Sequence, residues 1–112
     1  MSLPATSAEF LSADPAEIAA LILDEYAERG ELRIDNAAFE VVQQLDGQHG
    51  LSAGRRRQAA LVVSEACNLL ARVGAVCQQP ESDDPRALLV TTRGHQFRAA
   101  EDPAAELRRA AA

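Results

Sequence analysis

The chain has 112 residues, 47% hydrophobic and 25% charged, a composition typical of one folded domain with a modest core. Its net charge of −6 argues against indiscriminate polyanion binding, and its few, scattered aromatic residues offer no stacking platform for single-stranded nucleic acid. The start of the sequence does not predict a secretory signal, and no apolar run reaches the length of a membrane span. The two cysteines fit a reducing compartment, so we expect a cytoplasmic protein without membrane contact.

Residues 1–12 predict a flexible N-terminal arm, which Phe10 and Leu11 could dock on the domain or on a partner subunit. The folded domain is predicted over residues 13–100. Its first helix has Asp14 as the N-cap and a proline at the first helical position, and it ends at Gly30. One apolar stripe at helical spacing is formed by Ile18, Leu21, Ile22 and Tyr26.

Residues 31–34 alternate polar and apolar side chains, which fits either a short strand or a link to the next helix. The second helix is predicted from Asp35, as its cap, to Gly47. Its core face is predicted to hold Phe39, Val42 and Leu45.

The third helix is predicted from Ser52 to Gly74. At 100° per residue, its core face comprises Ala59, Val62, Val63, Ala66, Leu69, Leu70 and Val73. The opposite face comprises Arg57, Leu61, Ser64, Glu65, Asn68 and Arg72. Two further arginines, Arg55 and Arg56, project over the core side, where they need an overhanging helix end, a partner or an acid to hold them.

Residues 75–79 and 86–91 predict two strands of a β-hairpin, joined by the turn-rich segment PESDDP. A further helix is predicted after the hairpin, capped by Thr91 or Thr92, and residues 101–112 predict a helical or frayed tail. The fold class is therefore mainly α with a small β-hairpin.

The segment from Leu69 to Gly94 resembles the end of the recognition helix and the wing of MarR-type bacterial regulators and related winged helix-turn-helix repressors. The matching residues are Leu70, Gly74, Val76, Asp84, Arg86, Leu89, Thr91 and Gly94. The resemblance implies a winged helix-turn-helix domain, and the order of the predicted elements agrees with it.

In that family the wing arginine enters the minor groove of DNA, a role that the resemblance carries over to Arg86. The alternative is that Arg86 forms a salt bridge with Asp83 or Asp84 and holds the hairpin tip. The family's recognition helix begins with polar residues, whereas the corresponding position here reads AALVV, from Ala59. This departure favours phosphate contacts over base reading at the start of the helix.

Two functions remain open. The first is a dimeric transcriptional regulator that binds duplex DNA, with candidate DNA-binding residues Arg55, Arg56, Arg57, Ser64, Asn68, Arg72 and Arg86. Residues 51–112 support it, because they hold seven acidic residues and nine arginines, against ten and two in residues 1–50. The second is a winged-helix protein-interaction module without DNA binding, favoured by the net acidity, the AALVV stretch and Leu61.

No nucleophile–base arrangement, phosphate loop or metal-ligand spacing is present in the sequence, so we expect neither an enzyme nor a bound cofactor or metal. Two histidines, His49 and His95, are interpreted as surface residues. Both Cys67 and Cys77 are interpreted as buried thiols, with a redox switch between them as the alternative.

Overall fold

The computed structural model describes the backbone of residues 7–112 and the side chains of all of these except residues 7, 8 and 49. Over residues 7–112, six helices and three strands follow one another as α1 (Ser7–Ser12), α2 (Pro15–Ala27), β1 (Glu31–Arg33), α3 (Ile34–His49), α4 (Ala53–Arg72), β2 (Val76–Gln78), β3 (Ala87–Val90), α5 (Thr92–Ala99) and α6 (Pro103–Ala111). The prediction of a mainly helical domain with a small amount of β-structure is confirmed.

Helix α2 lies at the centre of the domain and contacts α4, α5 and α6. It begins as predicted, because the Asp14 carboxylate accepts the Ala16 N–H at 3.0 Å and Pro15 occupies the first turn. Its buried face includes Ile18, Ile22 and Tyr26. Burial of this face against α4 and α6 supplies the main hydrophobic stabilisation of the helix.

The three strands form one antiparallel sheet in the order β1-β3-β2. Residues 31–33 are thus a strand rather than a link, and Leu32 pairs with Leu88 of β3. On the other side of β3, Cys77 pairs with Leu89. The hairpin predicted over residues 75–91 is present, and the β1 strand completes a sheet whose inner face is buried at Leu32, Val76 and Leu88.

Helix α3 differs from its prediction at both ends and in its buried face. It starts directly after β1 without a side-chain cap, and it continues through Gly47 to the positive-φ Gly50. The core residues are Ala37, Val41 and Leu45, at a spacing of four. The prediction that Phe39 faces the core is wrong, because Phe39 lies two residues from Ala37 and therefore on the opposite side of the helix, where it is 64% exposed.

Both chain ends, as far as they are described, pack on the domain. Within the predicted arm, residues 7–12 form α1, and Phe10 is fully buried; residues 1–6 lie outside the described residues. At the other end, the tail is helical over α6, which buries Leu107 and pairs Arg108 with Asp14 at 2.6 Å. One buried apolar side chain in each short helix explains why it is held in place.

A close junction fixes the hairpin to α4 and α5. The Thr91 hydroxyl donates to the Gly74 carbonyl at 2.6 Å and accepts the Gly94 N–H at 3.0 Å, so Thr91 rather than Thr92 caps α5. A Cβ atom on Gly94 would lie 2.2 Å from the Ala75 carbonyl oxygen. Only glycine allows α5 to approach the chain this closely.

Candidate nucleic-acid interface

The candidate interface begins at the turn between α3 and α4. The Ser52 hydroxyl accepts the Arg55 N–H at 3.3 Å and caps α4, as its predicted start requires. Before it, the Asp46 carboxylate accepts the Leu51 N–H at 2.8 Å, and Leu51 is buried. This hydrogen bond is the main reason that the pKa of Asp46 lies below its usual value.

The arginine triplet, defined as Arg55, Arg56 and Arg57, is exposed in the first turns of α4. Arg56 donates from Nη2 to Oδ2 of Asp46 at 2.8 Å, so an acid on the preceding helix holds this residue, one of the arrangements that the helical wheel required. No ion pair of Arg57 is found among the residues that the structure describes. The triplet therefore divides into a paired Arg56 and an Arg57 that is available to an external anion.

The outward face of α4 matches its prediction in most positions. Exposed side chains along it are Arg57, Leu61, Glu65, Asn68 and Arg72. The Ser64 hydroxyl is half-buried and donates to the Ala60 carbonyl at 3.1 Å, within the helix itself. Of the two residues proposed to contact bases, Asn68 is thus the more accessible, while Ser64 retains only its acceptor lone pairs for a ligand.

At the hairpin, four side chains form what we call the tip cluster, comprising Arg33, Asp35, Asp84 and Arg86. Arg86 donates from Nε to Oδ1 of Asp84 at 3.1 Å and from Nη2 to Oδ2 at 3.3 Å. Arg33 binds the same carboxylate at 3.0 Å and also Asp35 at 3.3 Å. The salt-bridge alternative for Arg86 is therefore present, with Asp84 as the acid.

The tip cluster balances two positive charges with two negative ones. The hydrogen bonds from Arg86, followed by its backbone N–H and Arg33, hold the pKa of Asp84 well below its usual range. Arg33 likewise lowers the pKa of Asp35. Because both carboxylates stay ionised at neutral pH, an incoming phosphate must displace Asp84 to bind the Nε–Nη2 side of the Arg86 guanidinium.

Two arginines near this surface were not predicted as site residues. Arg33 belongs to the tip cluster, and Arg93 is exposed on the first turn of α5, where its guanidinium lies 5.3 Å from the centre of the Phe97 ring. Arg93 also lies beside Gly74 at the end of α4. The position of Arg93 directly after the hairpin could have indicated a site residue, whereas no feature of the neighbouring sequence indicated Arg33.

The structure does not place the seven predicted residues in one patch of positive charge. The arginine triplet and Arg72 lie at opposite ends of α4, and the α-helical rise puts Arg57 and Arg72 about 22 Å apart along the axis. Between them are Glu65 and the 57%-exposed Leu61. Arg86 lies on the hairpin, within the neutral tip cluster.

Within the described residues, no group of three or more histidine, cysteine or acidic side chains is arranged to hold a metal ion.

The prediction that Cys77 is buried is wrong. Cys77 is exposed on β2, because odd-numbered residues of this strand lie on the outer face of the sheet. Cys67 is buried, and desolvation raises the pKa of its thiol to about 12. None of the helices described is long and apolar enough to cross a bilayer.

Comparisons of the chain with models of protein families, with curated proteins and with solved structures gave no match.

Proposed function

We propose that this protein is a winged-helix DNA-binding protein and acts as a transcriptional regulator that contacts duplex DNA through α4 and the β2–β3 hairpin. The observation that carries the proposal is the exposed face of α4 with Arg57, Asn68 and Arg72, directly followed by a hairpin in a sheet of order β1-β3-β2. A helix of this kind supplies the groove-reading element in winged helix-turn-helix proteins, and the hairpin supplies the wing.

Phosphate contacts dominate the proposed binding. Arg57 and Arg72 are exposed and have no ion pair among the described residues, so they reach phosphates without giving up another partner. For Arg56 and Arg86 a phosphate competes with a carboxylate, because these two arginines are ion-paired with Asp46 and Asp84. Asn68 is the exposed amide on this face and is suited to bidentate contact with an adenine edge.

The test is fluorescence anisotropy of labelled duplex DNA across a salt series. With three or four phosphates neutralised, log K should fall with log salt at a slope of about −3 to −4. Absence of binding at low salt, or binding without a salt slope, would overturn the proposal.

The alternative is a winged-helix module that binds another protein. The specific observation in its favour is the exposure of two large apolar side chains, Phe39 on α3 and Leu61 at the middle of the α4 face. A Leu61→Ala variant separates the two functions, since a protein partner that uses this face loses affinity, whereas phosphate contacts are retained. Recovery of DNA fragments alone from native lysate would count against the alternative.

A further inference from the structure

Strand β2 forms one edge of the sheet, and its backbone groups alternate in direction. The Thr91 N–H donates to Ala75 at 3.0 Å and the Gln79 N–H donates to Ala87 at 3.1 Å, so odd-numbered residues of this segment bond to β3. In an antiparallel ladder such pairs recur at every second residue. The N–H and C=O groups of Val76 and Gln78 therefore face away from β3, and no hydrogen bond to them is found within residues 7–112.

The two edges of the sheet differ in charge. The β1 edge carries Glu31 and Arg33 at the two ends of a three-residue strand, and charged side chains are a common protection against edge-to-edge pairing. The β2 edge reads Val-Cys-Gln, and the whole segment 73–80 lacks a charged residue. In a chain of net charge −6, a neutral segment opposes contact between two copies less than an acidic surface does.

We propose that β2 pairs antiparallel with β2 of a second copy of this chain, about a two-fold axis at Cys77, so that two three-stranded sheets join into one of six strands. In this register Val76 lies opposite the partner's Gln78, and each outward N–H meets an outward C=O. The two Val76–Gln78 pairs exchange two hydrogen bonds each. The edge is therefore self-complementary, which is what a two-fold interface requires.

The side chains fit the same arrangement. On the outer face of the sheet, Glu31, Leu89 and Cys77 lie in one row across the three strands. Joining two copies places Leu89 and Cys77 of both at the centre of a continuous row. Beside it, each copy has a groove of about 410 Å³ that is lined by Glu31, Gln79, Pro80, Glu81 and Leu89. The Cα atoms of the two Glu31 residues lie about 24 Å apart across five strand spacings, and each Glu31 carboxylate accepts a hydrogen bond from Nε2 of Gln79 in its own copy at 3.3 Å.

The proposal goes beyond DNA binding and does not depend on it. Three residues per strand bury less surface than the 1,200 Å² or so of a stable interface, so the dimer is weak and in rapid exchange. A disulfide between two copies can capture such a short-lived dimer, and Cys77 at the proposed axis is the residue to form it.

The experiment oxidises the full chain with diamide, which takes two electrons and two protons from two thiols and leaves a disulfide. At the proposed axis, Cys77 and its copy form a non-hydrogen-bonded pair with Cα atoms about 4.5 Å apart, within the range of a disulfide. The matched control is the C77S/Q78C double variant, which moves an exposed thiol by one residue along the same edge. Its two thiols are not opposite each other in the proposed register.

We expect Cys77 to form the disulfide dimer about tenfold faster than the control, because only Cys77 meets its own copy across the axis. Equal rates for the two proteins, as random collision produces, would overturn the proposal. DNA anisotropy of the reduced chain, measured in parallel, reports on the proposed function independently of this result.

Two variants test the hydrogen bonds and the neutrality of the edge. Q78P removes an outward N–H group without removing a hydrogen bond to β3. It should slow disulfide formation at Cys77 to the rate of the C77S/Q78C control. Q78A, which keeps the N–H group, should form the disulfide at the rate of the parent. Q78E keeps the backbone intact but places two like charges beside the axis, so trapping should slow and recover partly with salt. Unchanged trapping in Q78E would contradict the proposal even if Q78P disturbed the fold.

Discussion

Arg56, at the start of α4, and Asp46, in the last turns of α3, are joined by a hydrogen-bonded ion pair of 2.8 Å. The same carboxylate accepts the Leu51 N–H, so one side chain orders the turn and holds one member of the arginine triplet. The dense positive charge at this helix start is therefore partly neutralised from within the chain. This relationship separates the roles of neighbouring arginines and leads to the first two predictions.

Arg57→Ala should weaken binding to duplex DNA more than Arg56→Ala, because Arg57 is available to a phosphate and Arg56 is held by Asp46. Loss of one phosphate contact should reduce the magnitude of the salt slope by about 1. Anisotropy titrations at several salt concentrations measure both effects. Equal losses in the two variants would show that Asp46 does not restrain Arg56 in the complex.

Asp46→Asn should lower the melting temperature at neutral pH and have little effect in acid. The pKa of Asp46 is lowered in the folded chain, chiefly by the Leu51 N–H, so its carboxylate stabilises the fold above its unfolded pKa of about 3.9. That contribution is lost as the pH falls through the lower, folded pKa. Thermal unfolding from about pH 2 to about pH 7 measures the difference in melting temperature between the parent and the variant.

An Asp83→Asn variant provides the control for Asp46→Asn, because Asp83 is exposed and no hydrogen bond or ion pair of its side chain is found among the described residues. It removes one negative charge without disturbing the α3–α4 turn. A pH-dependent loss of the same size in this variant would assign the effect to net charge instead of the turn.

Gly94→Ala should destabilise the fold by about 1–3 kcal/mol, because the new Cβ would lie 2.2 Å from the Ala75 carbonyl oxygen. Gly47 provides the matched control: it lies inside α3, and a Cβ there meets nothing within 4 Å. Gly47→Ala should stabilise the chain by about 0.5–1 kcal/mol through helix propensity. Urea unfolding at constant pH measures both, and a tolerated Gly94→Ala would contradict the close junction.

Leu107→Ala should cost about 2–5 kcal/mol of unfolding free energy, because Leu107 is fully buried and anchors α6. Leu61→Ala makes the same chemical change on an exposed helix face and should alter stability by less than about 0.5 kcal/mol. Chemical denaturation of the two variants compares them directly. Similar small effects would mean that the C-terminal helix is not part of the cooperative fold.

Ellman's reagent should modify Cys77 in the native chain and reach Cys67 only after unfolding. Cys77 is exposed, whereas Cys67 is buried, and desolvation raises the pKa of its thiol to about 12, which removes the reactive thiolate. The C77S variant should show no rapid reaction until denaturant is added. Fast modification of C77S would place Cys67 in a more open environment.

The sequence predicted correctly those features that depend only on residues close together along the chain. The Asp14–Pro15 start of α2 and the buried Val63–Leu70 face of α4 follow from capping chemistry and a 3.6-residue period. The same signals failed for α3, where Phe39 is exposed. Two overlapping apolar patterns fit that helix, and only packing against α4 selects between them.

The same distinction between local and long-range features applies to the candidate site. That arginines cluster at the start of a long helix and that a hairpin follows it could be predicted from the amino-acid order, because charge and periodicity are local properties. Which arginines are already paired depends on contacts between separate elements: Asp46 lies ten residues before Arg56, and Asp84 binds Arg33, 51 residues away. Ion pairs depend on distances between elements, and those distances follow from how the helices and the sheet pack around one core.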